Sequence, residues 1–239
     1  MVVAKALQVR LDAALRSGLL DDVDATLAAF DAACETLRDP EGLAAAALYH
    51  GEVELARDRP ADALPHVTSA LEHLERWGQL LYAKARILSV AARAHVALGD
   101  HAAAEQALAE ADDALRDASG ALGSQAAVRI ARAELALARG DAAAARAAID
   151  PLAEGQGLPR DVRTARVLRG EALLLAGAGA EAEADLAAVA ADVTADARLR
   201  ARASRGVAAV AQPPGGAPAT APGPKTGRRP PGSSSRHRG

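Results

Sequence analysis

Several groups of side chains in this sequence could do chemistry, and their spacing decides between them. Six histidines, His50, His66, His73, His95, His101 and His237, are scattered, and only His66 and His73 would share a helical face, seven residues apart. A zinc site needs i,i+4 spacing and further ligands, so surface or inter-helix histidines are expected and no metal. The single cysteine, Cys34, excludes an internal disulfide and, set in an apolar helical run, reads as an inert buried thiol. The acid pairs Asp21–Asp22 and Asp112–Asp113 read as helix-start or helix-face charges. "GAGAEAEA" at 177–184 has the look of a Gly-rich phosphate loop, yet no strand precedes it, and neither a Walker-type run nor G-x-S-x-G occurs. In "ALGDHAAAEQAL", residues 97–108, Asp100 could be a catalytic acid on a loop opened by Gly99, or the pair could be a joint between two helices.

The surrounding elements favour the joint. Equivalent breaks stand at Gly18, Asp58, Gly140 and Gly177, so the intervals between turns are 40, 41, 41 and 37 residues. Other positions keep step with the turns. Seven residues before the last four stand Gly51, Ala92, Ala133 and Gly170; five residues after them stand Ala63, Ala104, Ala145 and Ala182; four further on come Val67, Leu108, Ile149 and Leu186, with Leu27 in the first unit. Small residues on both sides of a turn let antiparallel helices approach closely, and the branched residue fills the gap toward the next pair. The first unit carries Leu11 where the others carry a small residue.

Helices are therefore expected at about 3–17, 21–37, 41–57, 60–76, 79–98, 101–117, 121–139, 141–150, 160–176, 179–191 and 195–211, with breakers at 38–42, 76–79, 118–123 and 154–161. Pro60 suits a first turn, whereas Pro65 and Pro151 are expected to kink or end their helices. With 66 alanines and few aromatic residues, an all-α core of close helix contacts is expected.

These units resemble the tetratricopeptide repeat, with its small residue in the first helix, Gly-Asp style turn, early Ala in the second helix and apolar residue four later. The period exceeds the family's usual length and no Pro closes the second helix. The likeness is therefore to the longer-helix variants beside CHAT domains or in actinobacterial NTPase and LuxR-type regulators. What the resemblance implies is an α-solenoid of about five antiparallel hairpins over residues 1–211, acting as a non-enzymatic scaffold or sensor arm without a cofactor. Its partner would be a protein or peptide, in the context of a CHAT-type peptidase or an NTPase regulator. In that family the first helices line a concave groove, which here implies Leu48, Glu52 and Leu55; Arg86, Ser89, Arg93 and Val96; Ile130, Glu134 and Leu137; Val167, Glu171 and Leu174. The Lys/Asn clamp with which some members hold a terminal carboxylate is absent, since the only lysines are Lys5, Lys84 and Lys225.

Charge is unevenly placed. The formal net charge is −3, with +5 on residues 212–239 (Lys225, Arg228, Arg229, Arg236 and Arg238) and −8 on the rest. The Pro/Gly/Ser-rich stretch 212–239 is expected to be a disordered tail. Its charge could attract nucleic acid without reading sequence, the alternative role of a transcriptional regulator component, but five cations without aromatic residues are weak support for that. Residues 196–211, with Arg198, Arg200, Arg202 and Arg205, read either as a solvated capping helix or as the first half of a further unit. No apolar run nears membrane-spanning length and the first residues lack a signal-peptide pattern, so a cytoplasmic location away from membranes is expected.

Overall fold

Runs of alanine, leucine and arginine, residues with high helix propensity, form eleven helices in the computed structural model, which describes residues 2–77, 81–116 and 122–211. They are α1 (Val2–Ser17), α2 (Val23–Leu37), α3 (Pro40–Ala56), α4 (Pro60–Trp77), α5 (Leu81–Leu98), α6 (His101–Arg116), α7 (Leu122–Ala138), α8 (Ala142–Ala153), α9 (Pro159–Leu175), α10 (Gly179–Ala191) and α11 (Ala197–Val210). Among the described residues there is no strand, and no helix is long and apolar enough to cross a membrane. The expected basic tail, 212–239, and most of the breakers at 76–79 and 118–123 lie outside the described residues.

Each tight turn has the same backbone cause. Gly18, Asp58, Gly99, Gly140 and Gly177 all have positive φ, between 61° and 79°, a conformation that glycine adopts freely and aspartate tolerates. At Gly99 the N–H donates to the Val96 carbonyl at 3.0 Å, and the next N–H, of Asp100, reaches the His95 carbonyl at 2.9 Å. That Schellman pair satisfies carbonyls the ending helix would leave bare. Asp58, Gly140 and Gly177 close their helices with the same two bonds. Asp100 then starts α6 by accepting from the Ala103 N–H at 3.0 Å, as Asp141 does from Ala144 at 2.9 Å.

Helix follows helix by direct packing, and the second-neighbour contacts are selective. Contacts join α1 to α3, α3 to α5, α5 to α7, α7 to α9 and α9 to α11. The odd-numbered helices thus make one layer and the even-numbered helices back it. Between the layers the residues in step with the turns are buried: Ala63, Ala104, Ala145 and Ala182 are wholly inaccessible, as are Ala92, Ala133, Ile149 and Leu186. Gly170 shows why a small residue is required, because a Cβ there would lie 2.6 Å from Leu186 Cγ. Gly206 presses on the same leucine from α11, at 2.8 Å from Cδ1.

Of the two outcomes expected at each internal proline, a kink or an end, the end needs correction. Pro65 and Pro151 do not end their helices; both stand inside continuous ones. A proline in a helix interior costs about 3 kcal/mol, but Ala63 and Val67 flank the first and Ile149, Leu152 and Ala153 flank the second. All five are buried, and that packing carries each helix through.

Candidate functional site

The inner surface of the odd-numbered layer carries a network of half-buried charge. Glu52 on α3 grips Arg86 on α5 through both oxygens, with Oε1 accepting from Nη2 at 2.8 Å and Nε at 3.2 Å, and Oε2 from Nη2 at 3.1 Å. The Glu52 carboxylate holds Arg86 well above the ordinary guanidinium range, against the opposing effect of burial. Arg86 also lies 5.9 Å from the centroid of the Tyr49 ring, within range of a cation–π contact. The Tyr49 hydroxyl donates to Asp12 Oδ1 on α1 at 2.9 Å. Burial, more than the neighbouring Asp12, pushes that phenol up and keeps it a donor.

A second chain of pairs begins about two turns further along α5. Arg93 Nε donates to Glu134 Oε2 on α7 at 2.8 Å. Glu134 Oε1 faces Arg202 Nη1 of α11 at 3.7 Å, and Arg202 closes on Glu171 of α9 with Nε and Nη2 each 2.6 Å from a carboxylate oxygen. Truncating one member would leave a half-buried charge without its partner, at a cost of about 1–3 kcal/mol.

Two recesses flank these pairs. A cavity of about 250 Å³ is lined from α1, α3, α5, α7, α9 and α11, with Asp12, Arg86, Ser89, Ile130, Asp161 and Asp196 among its walls. Another, about 530 Å³, lies toward the turns, where Leu55, Val96 and Leu137 form an apolar strip beside Arg93, Glu134 and Arg202.

The residues implied for the groove therefore divide. Glu52, Arg86, Arg93, Glu134 and Glu171 face inward but are largely engaged with one another or with Arg202. Val96 is half-buried in the apolar strip. Ser89 and Ile130 border the smaller cavity while only 2% and 8% exposed, and Leu48 is 7% exposed. Val167 has to be corrected: it is fully inaccessible, in a core cluster that joins α9 to both α10 and α11 through Leu186 and Ala203. The reading from sequence missed Asp12, Tyr49, Asp161 and Arg202. A signal for part of the network was present: Glu52, Arg93, Glu134 and Glu171 each stand six residues before a turn.

The other chemical candidates find structural employment. His50 Nε2 sits 3.0 Å from Asp31 Oδ2, and its ring stacks on that of His66 with centroids 4.9 Å apart. Burial and the neighbouring His50 charge lower the His66 pKa. Burial, helped by Asp39 and Asp31, pushes the Cys34 thiol up to about 11, which leaves little thiolate at neutral pH. Among the described residues no three His, Cys, Asp or Glu side chains are grouped to hold a metal ion. No protein-family model, curated protein or solved structure matches this chain.

Proposed function

We propose that the chain is an α-solenoid of about five tetratricopeptide-like hairpins, with α11 as a further first helix, and that it works as a non-enzymatic protein-interaction module. The partner is an extended peptide or a helix laid along the inner face, as a scaffold or sensor arm would hold it. A peptidase of the CHAT type or an NTPase regulator is the context in which such an arm would serve. One observation carries this reading: six odd-numbered helices line one polar cavity, with an apolar strip of Leu55, Val96 and Leu137 beside it. Half-buried polar groups fix orientation and aliphatic recesses supply burial, the combination that grooves for peptides use.

The test is selection of twelve-residue peptides from a displayed random library on the whole chain, followed by amide shift mapping of the winners. Micromolar binders that shift Arg86, Arg93, Val96 and Leu137 are expected. Binders that map to the outer faces of α4, α6 and α8, or none tighter than millimolar, would overturn the reading.

A further inference from the structure

The small inner cavity contains one buried acceptor left over. Asp161 stands in the first turn of α9 and is 9% exposed. Its Oδ1 lies 3.4 Å from the Nε of its neighbour Arg160, and its Oδ2 is buried with no donor among the described residues. The other carboxylates on the walls are in use: Asp12 by Tyr49, Glu52 by Arg86, and Asp196 by the Leu199 N–H, where it caps α11. The nearby guanidinium groups also have acceptors, Arg86 in Glu52, Arg93 in Glu134 and Arg163 in Asp192. Charges of both signs line the cavity, but the buried unmet demand is for a donor.

A buried carboxylate oxygen without a hydrogen bond costs free energy that a neutral side chain would not. A cationic donor would meet that cost best, since a hydrogen bond between charged groups is about twice as strong as a neutral one. An anion would instead face the carboxylates of Asp12, Glu52, Asp161 and Asp196 on the same walls. We propose that Asp161 anchors a basic side chain, a lysine ammonium or an arginine guanidinium, inserted into this cavity by a peptide on the inner face. This rests on the interaction reading above and specifies its ligand. The cavity's roughly 250 Å³ accommodates one such side chain and its head group. The −8 formal charge of residues 1–211 favours a basic partner's approach.

The experiment titrates the whole chain with N-acetyl-lysine methylamide, N-acetyl-arginine methylamide and, as the uncharged control, N-acetyl-norleucine methylamide, following backbone amide shifts. The two basic probes are expected to shift the first turn of α9 and the amides around Arg86 and to saturate, the larger effect naming the head group; norleucine should leave them still. Asp161→Asn should weaken the basic probes at least tenfold, and Asp161→Glu should retain part of the binding. Equal shifts from lysine and norleucine, or undiminished binding by Asp161→Asn, would overturn the proposal. Should Asp161→Asn fail to fold, the lysine-against-norleucine comparison on the unaltered chain decides alone. Displayed peptides that bind the inner face without a basic residue overturn this inference and leave the interaction reading standing. A lysine probe seated at Asp161 while peptides bind only the outer faces does the reverse.

Discussion

The first and last helices of this protein are packed on opposite principles. Around α1–α3 the core is built from large side chains: Leu11, Leu27, Phe30, Tyr49 and Val53 lie together with at most 3% exposure, and Phe30 meets Tyr49 edge-on with centroids 6.0 Å apart. Around α9–α11 the core holds only aliphatic side chains, Val167, Leu173 and Val189 among them, and it closes tightly on glycine, with Leu186 held between Gly170 and Gly206. A helix pair can be joined by filling the gap between axes or by closing it, and the two solutions fail differently. The first has volume to lose and the second has none to receive.

The sharpest way to break that contrast is to delete volume at the N-terminal end. Leu11→Ala should cost about 2–5 kcal/mol in urea denaturation and speed hydrogen exchange through α1–α3, with little change in α9–α11. Adding volume at the other end comes next. Gly170→Leu should cost about 1–3 kcal/mol, confine its exchange effect to α9–α11, and be partly relieved when combined with Leu186→Ala. If the two lesions loosen the whole chain equally, the ends are not separate packing regimes.

The turns should ignore the contrast. Gly18 and Gly177 have φ of 70° and 79° with open space where a Cβ would stand, so Gly18→Ala and Gly177→Ala should each cost about 1 kcal/mol; unequal melting shifts would show that a core intrudes on its turn. The smallest effect expected is pH-borne and confined to the C-terminal half. Burial, only partly offset by Arg160, raises the Asp161 carboxyl above its ordinary 3.8, so the folded chain keeps that proton longer than the unfolded chain. Stability is then lost as pH rises from the ordinary value through the raised one. Asp161→Asn should remove that loss, raising the urea midpoint relative to the unaltered chain more at pH 7 than at pH 4.

Much of the helical framework could be read from residues alone because local rules set it. Gly99 with Asp100, and Gly140 with Asp141, announce a left-handed residue followed by a capping carboxylate, and no distant contact is needed to place either. That α4 and α8 run on through Pro65 and Pro151 was not legible, because the same local rules ignore the buried neighbours that hold those helices together. Part of the charged network was legible, since Glu52, Arg93, Glu134 and Glu171 share one place in the turn register. Which of them pair was not. Glu52 bonds Arg86, 34 residues on, whereas Arg93 bonds Glu134, 41 residues on. That choice depends on how far one helix slides along its neighbour, a tertiary offset that the repeat length does not encode. His50 and His66 met for the same reason, across two helices whose separate patterns gave no hint of it. Val167 went the other way: its register matched the inward residues, but the core cluster shared by α9, α10 and α11 encloses it.

Glu134 has one more consequence. Through its two oxygens it faces Arg93 of α5 and Arg202 of α11, so long side chains bridge a gap that spans two further helix pairs. Glu134 is thus an electrostatic clasp between the middle helices and the last helix of the odd-numbered layer. Close packing along the layer is indifferent to salt, while the clasp, with Arg93 and Arg202 side chains 40% and 34% accessible, weakens as the Debye length shortens. Raising the ionic strength should therefore loosen the link between α7 and α11 while leaving every helix intact.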